Sequence, residues 1–206
     1  MMNLYSGTTC PFSHRCRIVL YEKGMDFQVI DLDEFDNSII PESVSGIKNS
    51  EHNKVPVLEE RDLALFDASV IGEFIDERFP HPQLMPQDPI MRARARQILL
   101  GFEREIFHFM MVLENKHSSE RERENARKQI VTQLVGIVPI FSRQKYLLGD
   151  EFSMLDVAIA PLLWRFDHYK IKAPAELAPL MKYAERIFAR QGFIDSLTPA
   201  EKAMRK

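Results

Sequence analysis

A cluster of four prolines near the middle of the chain limits what this sequence can fold into. Residues 79–89 read FPHPQLMPQDP, and the four are Pro80, Pro82, Pro86 and Pro89. Proline lacks an amide hydrogen and restricts φ, so this density excludes a regular helix or strand and stiffens the backbone. We therefore predict a proline-rich linker at 80–86, between a first domain at 1–79 and a second domain at 87–206.

The segments before the prolines alternate between strand-like and helix-like patterns. Short strand-like runs occur at 2–6, 27–32, 55–60 and 63–66. After the first run, apolar residues from Phe12 to Leu20 repeat at helical spacing, and Gly24 follows as a C-cap. A second helix is expected at 68–78, and residues 33–54 favour a short helix or turns. This order of elements predicts a thioredoxin-like α/β domain.

The chain after the prolines reads as helical throughout. Apolar side chains recur at helical spacing between residues 91 and 113, again between 130 and 141, and again between 177 and 188. The segment 150–166 is apolar nearly all round, which predicts a buried central helix, and Ser153 and Asp156 have the spacing of a capping box at its start. We predict an all-α second domain.

Charge and cysteine content restrict the class of function. The net charge is -3, and a protein that binds nucleic acid directly usually carries a basic face, so no direct nucleic-acid contact is expected. No apolar run approaches the length of about 18 residues that a membrane helix needs, and the first residues lack a signal-peptide pattern. Cys10 and Cys16 would lie about 9 Å apart along a helix, too far for a disulfide. Free thiols and these absences favour the cytoplasm.

Cys10 is the first candidate for chemistry. It precedes Pro11 at the expected start of a helix, where free amide hydrogens and the helix dipole favour a thiolate. A single thiol can exchange with glutathione, but it cannot form the internal disulfide of a two-thiol motif. An inert small residue in a loop fits the same pattern.

Three further positions are candidates for binding. Val55 and Pro56 begin a strand, where Pro56 can be an ordinary edge-strand proline. Asp67 and Ala68 begin the second helix, where free amide hydrogens suit an anionic group and Asp67 can equally be a plain cap. His81 is held between two prolines, either as part of a rigid recognition surface or as a solvated residue. The six histidines show no ligand spacing, so no metal is expected.

Taken together, these elements resemble the glutathione transferase superfamily across the whole chain. The residues that carry the resemblance are Cys10-Pro11-Phe12-Ser13, the segment NKVPVL at 53–58 and the Ser153–Asp156 cap. The resemblance implies a homodimer that uses helix 68–78 and the long helix after residue 90. It also implies a cis bond before Pro56, with the Val55 backbone facing a peptide-like ligand.

Within that superfamily, the chain resembles a branch of regulators that associate with bacterial RNA polymerase. Four segments carry this resemblance, at 12–24, 74–86, 160–165 and 196–205. It implies a protein-binding scaffold for transcription in stress and stationary phase, without ordinary transferase activity or a cofactor. Pro80, His81 and Pro82 match the surface patch that this branch uses in transcriptional activation. Gln83 replaces a further proline of that patch, and Asp88 replaces an aromatic residue.

A glutathione-dependent thiol transferase is the alternative. In that hypothesis Cys10 is the nucleophile, Ser13 donates a hydrogen bond to its sulfur, and glutathione is the cofactor. Transferases generally place an acid and then a serine at the start of the second helix. Asp67 fits the first position, but Ala68 lacks the hydroxyl, and a lost hydrogen bond to a charged group lowers affinity roughly ten- to a hundredfold. A transferase fold with some other protein partner is a third possibility.

Overall fold

The computed structural model describes residues 1–32 and 55–205, and the chain divides into two compact units. The first unit contains Met1–Gln83 together with Arg190–Ala203, and the second contains Leu84–Ala189 together with Met204–Lys206. The predicted fold class, a thioredoxin-like α/β domain followed by a helical domain, is confirmed. The prediction for residues 33–54 lies outside the described residues.

A four-stranded sheet organises the first unit. Its strands are β1 (Met2–Ser6), β2 (Gln28–Asp31), β3 (Val57–Glu60) and β4 (Leu63–Phe66). The order across the sheet is β2-β1-β3-β4, with β1 and β2 parallel and the other neighbours antiparallel. Leu4 lies opposite Leu58, and both side chains are buried, so the centre of the sheet forms the core of this unit.

Two helices of the first unit lie where the sequence places them. Helix α1 spans Pro11–Lys23, with proline in its first turn and Gly24 in the left-handed conformation at φ 62° after its end. Glycine adopts this conformation without the steric cost that a side chain would add. Helix α2 spans Ala68–Arg78 and packs against α1.

The second unit is helical in its described part. Its elements are α3 (Pro89–Phe102), a π-helical turn (Glu103–Phe107), α4 (His108–Glu114), α5 (Glu120–Ile137), a 3₁₀ turn (Val138–Ser142), α6 (Met154–Trp164), a second 3₁₀ turn (Ala175–Leu177) and α7 (Ala178–Phe188). Helix α6 is buried along its length up to Leu163, as its apolar sequence predicts.

A capping box begins helix α6. Asp156 is fully buried and accepts hydrogen bonds from Ser153 N–H at 2.8 Å and from Ser153 Oγ at 2.6 Å. It also accepts from Leu147 N–H at 3.0 Å and from the Tyr183 hydroxyl at 2.6 Å. One carboxylate therefore ties the start of the central helix to a preceding loop and to α7.

The last helices belong to the first unit, although the sequence assigned residues 87–206 to one helical domain. Helix α8 spans Gln191–Ser196, and helix α9 spans Pro199–Lys202 with a capping box between Thr198 and Glu201. Helix α8 packs against α1. Thr198 Oγ1 donates to the Thr8 carbonyl at 2.9 Å, and Arg190 contacts Glu22 through two hydrogen bonds of 2.8 and 2.7 Å. These contacts join sequence-distant segments, which a reading along the chain does not detect.

Candidate functional site

The loop at Pro80, His81 and Pro82 follows helix α2 and is exposed to solvent at all three residues. The His81–Pro82 peptide bond is cis. Gln83 is half-buried and ends this part of the first unit. We call residues 80–82 the proline loop. Its two pyrrolidine rings and one imidazole are exposed next to one another. Because each proline ring fixes its φ angle, the backbone of the loop has few rotatable bonds.

A buried lysine holds the base of the proline loop. Lys23 Nζ, at the end of α1, donates to Asp76 Oδ1 at 2.6 Å, to the Phe79 carbonyl at 2.6 Å and to the Pro82 carbonyl at 2.5 Å. The Lys23 side chain is 0% exposed and that of Asp76 is 5% exposed. An ammonium group has three hydrogens to donate, so these three bonds satisfy it completely. A buried charge that is paired and fully hydrogen-bonded is stable where an unpaired one is not.

We call Lys23, Asp76 and the two carbonyls the lysine clamp. It connects α1, α2 and the proline loop at one point, so the loop leaves the first unit with a defined geometry. The sequence analysis identified the loop but missed Lys23, because a lysine in the last turn of a helix usually interacts only with that helix's own carbonyls.

Asp88 lies in the second unit, where it is the N-cap of α3. Its Oδ1 accepts a hydrogen bond from Met91 N–H at 2.8 Å. Pro89 follows it as the first helical residue, which is the usual order at a helix start. The position predicted to contact a partner thus has a structural role in beginning α3.

Cys10 is the N-cap residue of α1 and is half-buried. Its carbonyl accepts a hydrogen bond from His14 N–H at 2.9 Å, and the first turn of the helix contains no acidic residue. Cys10 therefore lies at the N-terminal end of a 13-residue helix, which is the positive end of the helix dipole. Ser13 is fully buried, and its Oγ accepts from Gly7 N–H at 3.1 Å. Its predicted role as a donor to the Cys10 sulfur stays a prediction.

The second cysteine differs from the first in its surroundings. Cys16 is completely buried within α1. Burial raises the pKa of its thiol to about 12, because the charged thiolate would lose its hydration. A thiol with this pKa is inert near neutral pH, which leaves Cys10 as the reactive candidate of the two.

The positions predicted to bind glutathione lie at the starts of β3 and α2. The Val55–Pro56 peptide bond is cis, as the resemblance implies, and Pro56 is buried. Asp67 has a positive φ of 72°, and its Oδ1 accepts from Ser69 N–H at 2.8 Å and from Val70 N–H at 3.2 Å. Two amides that an anionic ligand would use are therefore already bound by a side chain of the protein. Ala68 is buried and supplies no hydroxyl.

Arg15 is a residue near this position that the sequence analysis missed. It is buried, and its Nη2 donates to Ser69 Oγ at 3.0 Å. Its guanidinium carbon lies 5.9 Å from the centre of the Phe12 ring. The side chain brings a positive charge from α1 to the start of α2, on the same unit as Cys10. The only signal in the sequence was that two arginines, Arg15 and Arg17, lie on the predicted helix close to its apolar stripe.

Two absences apply to the described residues alone. Across 1–32 and 55–205, no three His, Cys, Asp or Glu side chains are grouped so that they would hold a metal ion. In the same part of the chain, no helix has the length and apolar character needed to cross a membrane.

The fold places the chain in a known class. The glutathione S-transferase N-terminal domain matches residues 4–83, and the glutathione S-transferase C-terminal domain matches residues 102–191. A glutathione transferase from Methylococcus capsulatus str. Bath superposes with a TM-score of 0.83 over 98% of this chain and 100% of that one, at 24% identity. The bacterial transferase BphK, solved as a ternary complex, gives a TM-score of 0.81 over 97% and 99%, at 23% identity. The chain therefore has the glutathione transferase fold.

Its sequence relatives narrow the family. The stringent starvation protein A homolog of Coxiella burnetii is 36% identical over 207 residues, covering 100% of this chain and 96% of that protein. The homolog of Haemophilus influenzae is 35% identical, covering 97% of this chain and 92% of that protein. A probable glutathione S-transferase of Nicotiana tabacum is 30% identical over 72% of this chain. The chain belongs to the stringent starvation protein A family, a branch of the glutathione transferase superfamily.

Proposed function

We propose that this protein is an RNA polymerase-associated regulator of transcription in stress and stationary phase. In this proposal it acts as a protein-binding scaffold, and the proline loop is the surface that contacts polymerase. The observation that carries the proposal is the exposed Pro80-His81-Pro82 sequence held at its base by the buried lysine clamp. Membership of the family and the resemblance of residues 74–86 to its activation patch support it.

A pre-ordered loop suits this role on physical grounds. Association orders side chains and loops at an interface, and each immobilised side chain costs about 0.5–1.5 kcal/mol. A loop that is already ordered avoids much of this cost, so a small surface can bind specifically. The imidazole of His81 supplies one directional hydrogen-bonding group between two apolar rings. Binding of this kind needs no cofactor, no reaction and no direct contact with nucleic acid, and it places the protein in the cytoplasm.

The test is affinity purification from the native cell with wild type and His81→Ala compared side by side. His117→Ala is the matched control, because His117 is an exposed histidine that belongs to the second unit and not to the proline loop. We expect polymerase subunits to co-purify with wild type and with His117→Ala and to be lost with His81→Ala. No enrichment over a tag control, or equal recovery with His81→Ala, would reject the proposal.

We also propose that the chain forms a homodimer through the surfaces that this superfamily uses. Exposed apolar side chains support this in each unit taken separately. Phe66 and Val70 flank the start of α2 and are 58% and 52% exposed, and Ile90 in the first turn of α3 is 65% exposed. Apolar side chains with this exposure, on or next to the two helices through which this superfamily dimerises, favour burial against a second copy.

A thiol transferase is the second candidate, and the half-buried Cys10 at the N-terminus of α1 favours it. In this reaction the Cys10 thiolate attacks the glutathione sulfur of a mixed disulfide, so that the substrate thiol leaves and Cys10 is glutathionylated. A second glutathione thiolate then attacks that bond, which releases oxidised glutathione and restores Cys10.

This candidate has its own test. It predicts retention on glutathione resin and turnover of a mixed disulfide, both lost with Cys10→Ser. Cys16→Ala is the control, since Cys16 is buried and should be silent in either assay. A Cys10→Ser variant as active as wild type would exclude Cys10 as the nucleophile.

A further inference from the structure

A cavity of about 330 Å³ in the second unit lies outside every site described above. It is lined by the first two turns of α5 and by the turn that contains residues 168–170. Its volume is at the lower limit of ordinary small-molecule sites, which begin at about 300 Å³. A site of this size fits one small molecule, and its lining decides which kind.

Positive charge dominates the lining. Arg123, Arg127 and Lys170 contribute three cations, and Glu120 is the one carboxylate among the lining residues. These four side chains therefore give the lining a net charge of +2. It also lies beside the N-terminus of α5, an 18-residue helix whose dipole adds to the positive potential. The field is felt within the site, since Arg127, Lys170 and Arg123 all act to lower the pKa of Glu120, with Arg127 the largest cause.

Both arginines are held in place by the protein before any ligand arrives. Arg123 donates from Nη1 to the Leu113 carbonyl at 2.7 Å and from Nη2 to the Asn115 carbonyl at 2.5 Å. Arg127 donates from Nε to the Tyr169 carbonyl at 2.8 Å and from Nη1 to Glu120 Oε1 at 2.7 Å. Cations fixed in this way lose little conformational entropy when an anion binds.

Lys170 has a backbone conformation that a lysine seldom adopts. Its φ is 57°, and Ile171 N–H donates to the Phe166 carbonyl at 2.9 Å across it, which is the hydrogen-bond pattern of a helix end that normally uses glycine. A side chain here costs conformational energy that glycine would avoid. Strained positions of this kind cluster at functional sites, and the gain at this one is a cation at the edge of the cavity.

Glu120 is the residue that an incoming anion would replace. Its carboxylate is paired with Arg127 but is 75% exposed, and an exposed ion pair is a weak interaction. A ligand with more charge than a carboxylate can therefore take the Arg127 guanidinium from it.

We propose that this cavity binds the phosphate group of a small phosphorylated molecule, and that Glu120 competes with it for Arg127. A phosphate monoester near neutral pH has a charge close to -2, which matches the net +2 of the lining, whereas a monocarboxylate leaves one charge unmatched. A guanidinium has five hydrogens to donate, so Arg123, with three of its bonds made to carbonyls, and Arg127, with two bonds made, keep further N–H groups for phosphate oxygens. Lys170 adds a point charge. This inference does not rest on the proposed binding of polymerase, because all residues of the site belong to the second unit and none belongs to the proline loop.

The experiment is calorimetric titration of the full chain with glycerol 3-phosphate, inorganic phosphate, sodium acetate and glycerol at matched ionic strength. We expect saturable binding of the phosphate ester at one site per chain, acetate at least about tenfold weaker, and no binding of glycerol. Inorganic phosphate that binds as tightly as the ester would support the site with the free ion as its ligand. Weaker binding of the free ion would support it with the ester.

Three variants make the test specific. Lys170→Gly should weaken binding about tenfold, the effect of losing one charged contact, while the melting temperature stays equal or rises because glycine suits φ 57°. Glu120→Gln should tighten binding, since it removes the competing charge. Lys128→Ala is the control, because Lys128 lies on α5 but outside the cavity, where it pairs with Glu124 at 2.8 Å. This variant should bind the phosphate ester with the affinity of wild type.

Opposite signs at Lys170 and Glu120 cannot arise from a general loss of structure. The proposal is overturned if neither phosphate compound binds saturably, if acetate binds equally well, or if Lys170→Gly binds as wild type does.

Discussion

Arg17 and Glu201 form an ion pair that is buried from solvent, although 184 residues separate them in the chain. Arg17 Nη2 lies 2.7 Å from Glu201 Oε2, and the two side chains are 3% and 0% exposed. The same guanidinium donates from Nε to the Ser196 carbonyl at 2.8 Å and from Nη1 to Gly7 O at 3.3 Å. Residues 190–203 are thereby fixed to the helix and the loop that flank Cys10.

This pair predicts a large effect on stability. Arg17→Met removes the guanidinium that pairs with the buried Glu201 carboxylate and leaves it with weaker contacts, to His14 Nδ1 at 3.7 Å and to Thr198 N–H at 3.0 Å. Breaking a buried pair in this way costs about 3–5 kcal/mol. We expect the free energy of unfolding in urea to fall by that amount. The reference is Arg78→Met, since the Arg78–Glu60 pair is exposed on the arginine side and its loss should cost about 0–1 kcal/mol. Equal losses in the two variants would contradict a structural role for the buried pair.

The lysine clamp predicts a separation of binding from stability. Replacing both charged partners, in Lys23→Met/Asp76→Leu, removes the ion pair without leaving a lone buried charge, so the change in stability should be small. The Phe79 and Pro82 carbonyls lose their donor, and the proline loop then has to be ordered on binding.

We expect affinity for purified polymerase to fall about tenfold, because ordering a loop costs about 1 kcal/mol or more. Surface plasmon resonance would measure the affinity, and thermal melting would confirm that the variant is folded. A double variant with wild-type affinity would show that the clamp has no part in binding.

Local signals were enough to predict most of the secondary structure. The helix at 68–78 and the strand at 63–66 have the bounds that periodicity indicated, and Gly24 ends α1 as a C-cap. These features depend on residues within a turn or two of each other, so their signals lie in a short stretch of sequence. The exposed proline loop was predictable for the same reason.

The features that organise the candidate sites depend on contacts between distant residues. Lys23 binds groups 53 to 59 residues away, and Arg127 binds a carbonyl 42 residues away. Neither spacing leaves a pattern in a single sequence. For the same reason, the sequence did not predict that residues 190–203 belong to the first unit. Nothing in the sequence of α8 or α9 indicates that either helix lies near α1.

The two thiols should differ in reactivity. In the native protein at pH 8 we expect one thiol per chain to react with a disulfide reagent, and Cys10→Ser should abolish this reaction. Cys16 should react only after unfolding, because it is buried and its pKa is about 12. Two fast thiols in the native protein would contradict the buried position of Cys16.

The raised pKa of Cys16 also predicts a pH dependence of stability. The thiol of the unfolded chain has a pKa near 9.0 and that of the folded chain about 12, so below pH 9 the thiol is neutral in both states and its contribution is fully present. As pH rises from 9 to 12, the unfolded state loses its proton first, and stability falls by up to about 1.4 kcal/mol per pH unit. Across this range the free energy of unfolding should fall for wild type relative to Cys16→Ala, which lacks the thiol. A difference between the two variants that does not change with pH would contradict the raised pKa.

The contribution of a capping box to stability should depend strongly on whether the box is buried, as it is at the start of α6. Asp156→Ala leaves the buried Tyr183 hydroxyl and the Leu147 amide without this acceptor, so we expect the free energy of unfolding to fall by about 3–5 kcal/mol. Glu122→Ala is the matched comparison, since Glu122 has the same place in the exposed capping box of α5. In urea unfolding, Glu122→Ala should lower the free energy of unfolding by clearly less than Asp156→Ala does. A larger loss at Glu122 would show that the box, and not its burial, decides the effect.

The proposed homodimer predicts that one exposed apolar residue controls the oligomeric state. Val70→Glu places a charge at the start of α2, on the surface proposed to meet the second copy, and burying an unpaired charge in an interface is unfavourable. Ile194→Glu is the control, since Ile194 is an apolar residue of α8 that is 40% exposed and lies outside the proposed surface. Light scattering should give twice the chain mass of 24.0 kDa for wild type and Ile194→Glu, and the single mass for Val70→Glu. If the wild-type chain is monomeric at micromolar concentration, the proposed dimer is wrong. If Val70→Glu is still dimeric, the interface does not include the start of α2.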